Sequence, residues 1–100
     1  MFITARDKRA FRRMAIDCQV MFQSNQERFK GVGIGKNLSA QGILFLTNRH
    51  LPVGTVLEID IASGSHRTPP FRALMEVVRS ELQNRPGEYA VAGRFRKILN

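Results

Sequence analysis

The sequence has a single cysteine, few acidic residues and no long apolar run. Cys18 has no second cysteine with which to form an internal disulfide. No apolar stretch is long enough for a signal-peptide core or a membrane span, and there are no internal repeats or low-complexity tracts. A chain of 100 residues can bury only one modest core. These absences predict one cytoplasmic domain over residues 1–100, without a membrane span.

The charge is strongly positive and concentrated at the start of the chain. Lys and Arg number 16 against 8 Asp and Glu, for a net charge of +8. Such a field favours an anionic partner: a nucleotide, a nucleic acid or an acidic surface. Residues 1–14 contain too few apolar side chains to dock firmly, so we expect them to form a mobile basic arm. Within 1–13 the only acid is Asp7, and the basic residues are Arg6, Lys8, Arg9, Arg12 and Arg13.

The remaining residues, 15–97, alternate between apolar and polar side chains almost throughout. This period of two is typical of half-buried strands, and turn-forming residues interrupt it about every ten residues. Residues 71–79 could form a short helix by composition, but the flanking prolines and a valine pair favour a strand. The pattern predicts an all-β fold, a six-stranded antiparallel barrel. The expected strands are 16–23, 28–37, 42–47, 56–61, 71–79 and 89–95.

A barrel of this size is filled by its own side chains, so a ligand must bind on its outside. One candidate place is the basic arm, and another is the turn KNLSAQG at 36–42. In this turn Asn37 supplies an amide, Ser39 a hydroxyl, and Gly42 a residue that can take a positive φ. Taken alone, the turn could be an ordinary tight turn, because these residue types are common in turns.

The sequence contains no pattern typical of an enzyme or a metal site. His50 and His66 have no cysteine or second histidine at ligand spacing, and Ser39 has no nearby base. Glu58 and Asp60 lie on one strand face and are expected to be a solvated pair. Cys18 alternates with apolar neighbours, which favours a buried structural thiol. We therefore expect neither catalysis nor a metal or other cofactor.

The arm and the turn together resemble the motifs of the PilZ family. Arg9 and Arg13 form R-x-x-x-R before the first strand, and Asn37, Ser39 and Gly42 form N-x-S-x-x-G after the second. The segments LPVGT and VAGRF also look like elements of that family, so the resemblance covers nearly the whole chain. It implies a six-stranded barrel that serves as a receptor for the bacterial second messenger cyclic di-GMP.

The resemblance also implies roles for the motif arginines. Arg9 and Arg13 would bind guanine edges and phosphates, because arginine offers paired donors to guanine O6 and N7 and can stack on the base. Arg12 and Lys8 are less certain helpers. An arm ordered by ligand against the turn and the glycine-rich face of the second strand would then signal to an effector protein, which the sequence does not identify.

In the turn motif, the resemblance implies that Asn37 accepts a hydrogen bond from guanine and that Ser39 donates its hydroxyl. Gly42 would permit the turn. Many family members have Asp where this chain has Asn37, and a neutral acceptor forms weaker bonds than a charged one. The family often has a helix after the last strand, and here we expect little or none.

Two alternatives remain open. One is a small basic barrel that binds RNA or single-stranded DNA through a cationic groove and exposed aromatic rings. The spacing of the aromatics places them in the core instead, which disfavours specific nucleic-acid binding. The other is a PilZ-like adaptor that binds no nucleotide, which the intact arginines disfavour. The aromatics in question are Phe22, Phe45, Phe71, Tyr89 and Phe95.

Overall fold

Six antiparallel strands close into a barrel in the order β1-β2-β3-β6-β5-β4. The computed structural model describes residues 14–24, 26–62 and 71–99, and no helix occurs within these ranges. The predicted six-stranded antiparallel barrel is confirmed, and residues 71–79 belong to a strand. The strands are β1 (Met14–Ser24), β2 (Phe29–Leu38), β3 (Gly42–Thr47), β4 (Val56–Ile61), β5 (Phe71–Leu82) and β6 (Tyr89–Ile98).

Apolar side chains at alternate positions of each strand point inward and fill the interior of the barrel. Phe22 and Phe45 meet at its centre with ring centroids 5.5 Å apart. Leu51, from the connection between β3 and β4, is fully buried in the same cluster. Each large side chain buried in this way stabilises the fold by about 1.5–3 kcal/mol. The rest of the buried core consists of Val20, Ile43, Leu57, Ile59, Ile61, Ala73, Met75, Val77 and Val91.

The glycines of β2 face the interior and make room for the two central rings. A Cβ on Gly31 would lie 2.5 Å from Cζ of Phe22, and one on Gly33 would lie 2.9 Å from Cδ1 of Phe45. Larger side chains at these positions would therefore displace the rings. The expectation that the basic arm docks on the glycine-rich face is wrong, because that face lies inside the barrel against the core.

An ion-pair network on the outer surface links β4 to both of its neighbours. Arg72 on β5 pairs with Glu58, and its Nε donates to Oδ1 of Asp60 at 2.9 Å. Gln23 on β1 donates to Oε1 of Glu58 at 2.9 Å. Glu58 and Asp60 thus share one outer face, as expected from the sequence, and Arg72 bridges the two carboxylates. The Gln23 hydrogen bond and the Arg72 guanidinium together hold the pKa of Glu58 below its ordinary value, although partial burial opposes them.

Candidate functional site

A cleft of about 330 Å³ opens on the outer face of the barrel where β2 turns into β3. Its remaining wall comes from β5 and β6, which continue the same sheet beyond β3. All three residues of the predicted turn motif line it: Asn37, Ser39 and Gly42. We call it the β2–β3 cleft. Its other lining residues are Leu38, Gln41, Ile43, Leu44, Val78, Arg79, Ala92, Gly93 and Arg94.

Ser39 holds the turn in shape. Its backbone N–H donates to the carbonyl oxygen of Gly42 at 3.0 Å, and its Oγ accepts the Gln41 N–H at 3.2 Å. Gln41 in turn accepts the N–H of Phe95 at 2.8 Å, which attaches the turn to β6. A serine hydroxyl that bonds the backbone two residues ahead is a common turn device. Ser39 therefore has a structural role in addition to any contact with a ligand.

Gly42 is required for a reason other than the one predicted. It does not have a positive φ, whereas Gly54 and Gly87 do. Instead, Gly42 lies against the backbone of β6, and a Cβ on it would overlap the carbonyl oxygen of Gly93. Gly42 is thus needed for close approach of two strands, which brings the turn against β6.

Two β-bulges lie at the end of the barrel that carries the cleft. In β2 the register shifts between Gly35 and Asn37, so Lys36 is the extra residue. In β1 the register shifts between Ala15 and Cys18. Bulges re-aim neighbouring side chains and are frequent beside functional sites. Here the β2 bulge directly precedes Asn37, the first residue of the turn motif.

Two arginines that the sequence analysis did not assign to the site line the cleft. Arg94 on β6 is in register with Gly42, and its exposed guanidinium has no ion-pair partner among the residues described. Arg79 follows a third bulge, at Val78 of β5, and its Nε lies 3.8 Å from the Glu81 carboxylate. Alternation within VAGRF could have placed Arg94 outward. No sequence signal marks the bulge that presents Arg79.

Among the residues described, the five aromatic side chains named in the sequence analysis do not form an exposed platform. Phe22 and Phe45 are buried in the core, while Phe71, Tyr89 and Phe95 are half-buried against it. The Phe71 and Phe95 rings contact each other, with centroids 5.2 Å apart. The predicted core placement of these aromatics is confirmed, and stacking of several bases on this surface is disfavoured.

Several predicted residues lie outside the described part of the chain. These are the arm residues Lys8, Arg9, Arg12 and Arg13, together with His66. Within the described ranges, no group of three or more acidic, histidine or cysteine side chains could hold a metal ion. Those ranges also contain no helix long and apolar enough to cross a membrane. Cys18 is half-buried against the core.

A model of the PilZ domain family matches residues 7–98. The chain belongs to the PilZ family. The matched range includes the basic arm from Asp7 onward and all six strands of the barrel. PilZ domains are binding modules, so membership directs attention to a ligand and away from a reaction.

Solved PilZ structures share the fold of this domain. The inhibitor of motility MotI/DgrA of Bacillus subtilis superimposes with a TM-score of 0.75 at 17% identity, over 93% of this chain and 44% of that one. YcgR of Escherichia coli in complex with c-di-GMP superimposes with a TM-score of 0.67 at 17% identity, over 88% of this chain and 38% of that one. The PilZ domain of Escherichia coli YcgR with c-di-GMP superimposes with a TM-score of 0.64 at 13% identity, over 90% of this chain and 79% of that one. This chain thus spans less than half the length of MotI and YcgR. No curated protein sequence matches it.

Proposed function

We propose that this PilZ domain is a receptor for cyclic di-GMP, held between the basic arm and the β2–β3 cleft. One observation carries the proposal: Met14, the first described residue, is paired across β1 and β2 with Leu38, which lines the cleft. The R-x-x-x-R segment is joined directly to Met14. This attachment supports the proposal that the two motifs, separated by more than twenty residues of chain, act together at one end of the barrel.

The length of chain between each motif arginine and Met14 would allow both arginines to reach the cleft. The Cα of Arg13 is about 3.8 Å from that of Met14, because consecutive Cα atoms are held at this spacing. The Cα of Arg9 is at most about 18 Å from Met14, the span of five extended residues. A long guanidinium side chain adds to this reach. Arg13 is the closer of the two and has the smaller conformational freedom relative to the barrel.

The chemistry of the cleft suits a ligand with two phosphodiesters and two guanines. Arg94 and Arg79 contribute cationic groups from the described barrel, and Arg9 and Arg13 add the paired donors that fit guanine O6 and N7. The amide oxygen of Asn37 can accept from a guanine N–H. Ser39 accepts from the Gln41 N–H and donates its hydroxyl to the Gly42 carbonyl at a long 3.5 Å, so it would have to turn that hydroxyl away from Gly42 to donate to a ligand. Arg12 and Lys8 strengthen the field.

Ligand binding would order the basic arm, and this is the proposed signal to an effector protein. Fixing the five residues from Arg9 to Arg13 costs about 5–10 kcal/mol in conformational entropy. Several charge-assisted hydrogen bonds and base stacking together offset that cost, whereas no single contact does. The ordered arm covers the β2–β3 cleft and changes the surface offered to a partner, while the closed barrel has no comparable change to make.

Isothermal titration with cyclic di-GMP at physiological salt tests the proposal, and gives both the affinity and the number of ligands per chain. GTP, cyclic di-AMP and an unrelated oligonucleotide serve as competitors, and each should compete poorly. Adenine presents an amino donor where guanine O6 accepts, so cyclic di-AMP cannot replace the ligand. Absence of both heat and thermal shift would favour an adaptor that binds no nucleotide. Tight oligonucleotide binding that excess cyclic di-GMP cannot displace would favour a nucleic-acid binder.

A further inference from the structure

Part of one strand edge of the barrel has no neighbouring strand among residues 14–24, 26–62 and 71–99. β4 pairs with β5 only from Val56 opposite Glu76 to Ile61 opposite Phe71. The turn before β4 extends this contact by two hydrogen bonds, from Gly54 N–H to the Val77 carbonyl and from Val77 N–H to the Thr55 carbonyl. Beyond Val77, β5 continues to Leu82 paired with β6 alone among the described residues. We call residues 78–82 the open β5 edge.

The hydrogen-bonding direction of this edge follows from the β5–β6 hairpin. Gln83 donates its N–H to the Glu88 carbonyl at 2.7 Å. Bonded and non-bonded pairs alternate in an antiparallel ladder, so Leu82 and Ser80 occupy non-bonded positions relative to β6. Their N–H and C=O groups consequently point away from β6, toward the open edge. Such unpaired groups are a template for another strand.

The centre of the edge, Arg79–Ser80–Glu81, is complementary to itself. We propose that a second copy of this domain pairs antiparallel along the open β5 edge, about a two-fold axis through Ser80. This register places Arg79 opposite Glu81 of the other copy. Val78 is the extra residue of the β5 bulge and lies outside the paired ladder. Arg79 and Glu81 are both more than half exposed and lie on one face. The four charges at the two-fold axis then alternate in sign.

A second copy fits this edge better than an unrelated strand does. In a two-fold interface one patch must complement itself, and reversal of the segment Arg79–Ser80–Glu81 sets cation against anion. The two Ser80 residues, opposite each other on the axis, can exchange a pair of backbone hydrogen bonds. The edge is only five residues long, well short of the area that stable dimers bury. We therefore expect a weak dimer that forms at high protein concentration.

Sedimentation equilibrium of the full chain, from low micromolar to millimolar concentration at physiological salt, tests the pairing. The expected mass rises from 11.3 kDa toward twice that value. Glu81→Arg sets like charges opposite each other at two places and should raise the dimer dissociation constant by at least about tenfold. Arg79→Glu should act similarly, and the double exchange Arg79→Glu/Glu81→Arg should restore dimerisation. Glu27→Arg, in the β1–β2 turn, makes the same change in net charge and should leave the dimer intact.

Amide hydrogen exchange on the wild-type chain gives an independent measurement. Protection of the Ser80 and Leu82 amides should increase with protein concentration. A monomer throughout the concentration range would overturn the proposal. An effect of Glu81→Arg no larger than that of Glu27→Arg would also overturn it, as would a double exchange that fails to restore the dimer. Association without any gain in protection at the Ser80 and Leu82 amides would have the same meaning. In each case the β5 edge is not where copies meet.

Discussion

Gly42 of β3 lies so close to the backbone of Gly93 on β6 that a Cβ on Gly42 would overlap the Gly93 carbonyl oxygen. This contact, and not an unusual backbone angle, accounts for the glycine that ends the N-x-S-x-x-G motif. It brings the turn that carries Asn37 and Ser39 against β6, and with it toward Arg94. The geometry of the β2–β3 cleft thus depends on the absence of one side chain.

Substitution of Gly42 should be destabilising because of this overlap. We expect Gly42→Asn to lower the free energy of unfolding by about 1–3 kcal/mol, the usual cost of forcing atoms into a packed site. Ala40→Asn is the matched control, because it introduces the same side chain at an exposed position of the same turn. Urea denaturation of both variants makes the comparison. An equal loss of stability at the two positions would show that steric overlap at Gly42 is not the cause.

Asn37→Asp should strengthen ligand binding. A carboxylate accepts stronger hydrogen bonds from guanine N–H groups than an amide oxygen does, so we expect affinity for cyclic di-GMP to rise about three- to tenfold. Asn48→Asp makes the same charge change at the far end of β3 and controls for the weaker overall positive field. Calorimetric titration compares them. Weaker binding in Asn37→Asp than in Asn48→Asp would remove Asn37 from the guanine contact.

The motif arginines should contribute to binding and little to folding. Arg13→Ala removes charge-assisted hydrogen bonds of about 1.5–3 kcal/mol each, so binding should weaken at least tenfold at a nearly unchanged Tm. Arg9→Ala should behave similarly. Arg85→Ala, an exposed arginine in the β5–β6 turn, removes the same charge at the opposite end of the barrel. An arginine whose loss weakens binding no more than Arg85→Ala acts only through the general field.

Stability should fall in acid partly because of Glu58. Its pKa lies below the ordinary value of 4.5, first through the Gln23 hydrogen bond and then through Arg72. The unfolded chain therefore binds this proton more readily, so the stabilisation is complete above that ordinary value and is lost as pH falls through the lower folded-state pKa. Glu58→Gln should flatten this part of the pH profile of the unfolding free energy. Gln23→Ala should flatten it partially, and an unchanged slope in both variants would contradict the assignment.

Much of the barrel could be predicted from alternation alone. The expected bounds of β3 and β4 agree with the structure, because both strands carry apolar side chains on the buried face along their whole length. β5 and β6 extend beyond their predicted ends to Leu82 and Ile98. The added segments do not continue the burial of alternate apolar side chains, and backbone pairing between neighbouring strands defines them. The pattern of side chains along a single strand does not predict how far its backbone pairs with a neighbouring strand.

The candidate site was only partly predictable for a related reason. Asn37, Ser39 and Gly42 form a short motif that is visible in the sequence, and the structure brings all three to one cleft. The requirement for glycine at position 42 depends on the position of β6. A local turn pattern in the sequence contains no information about that position. Arg79 reaches the cleft through the bulge at Val78, and a bulge arises from the pairing of two strands.

The basic arm is expected to change from mobile to ordered when cyclic di-GMP binds. Its sequence has a cluster of like charges and few apolar side chains, whereas bound phosphates and guanines would supply partners for Arg9 and Arg13. Amide hydrogen exchange over residues 5–14, with and without saturating ligand, measures this directly, and the amides of β3 and β6 in the core provide an internal reference. We expect protection to rise in the arm while the reference amides change little.

Cyclic di-AMP at the same concentration should leave the arm unprotected. Strong protection already present without ligand, or none gained with it, would mean that ordering of the arm does not carry the signal.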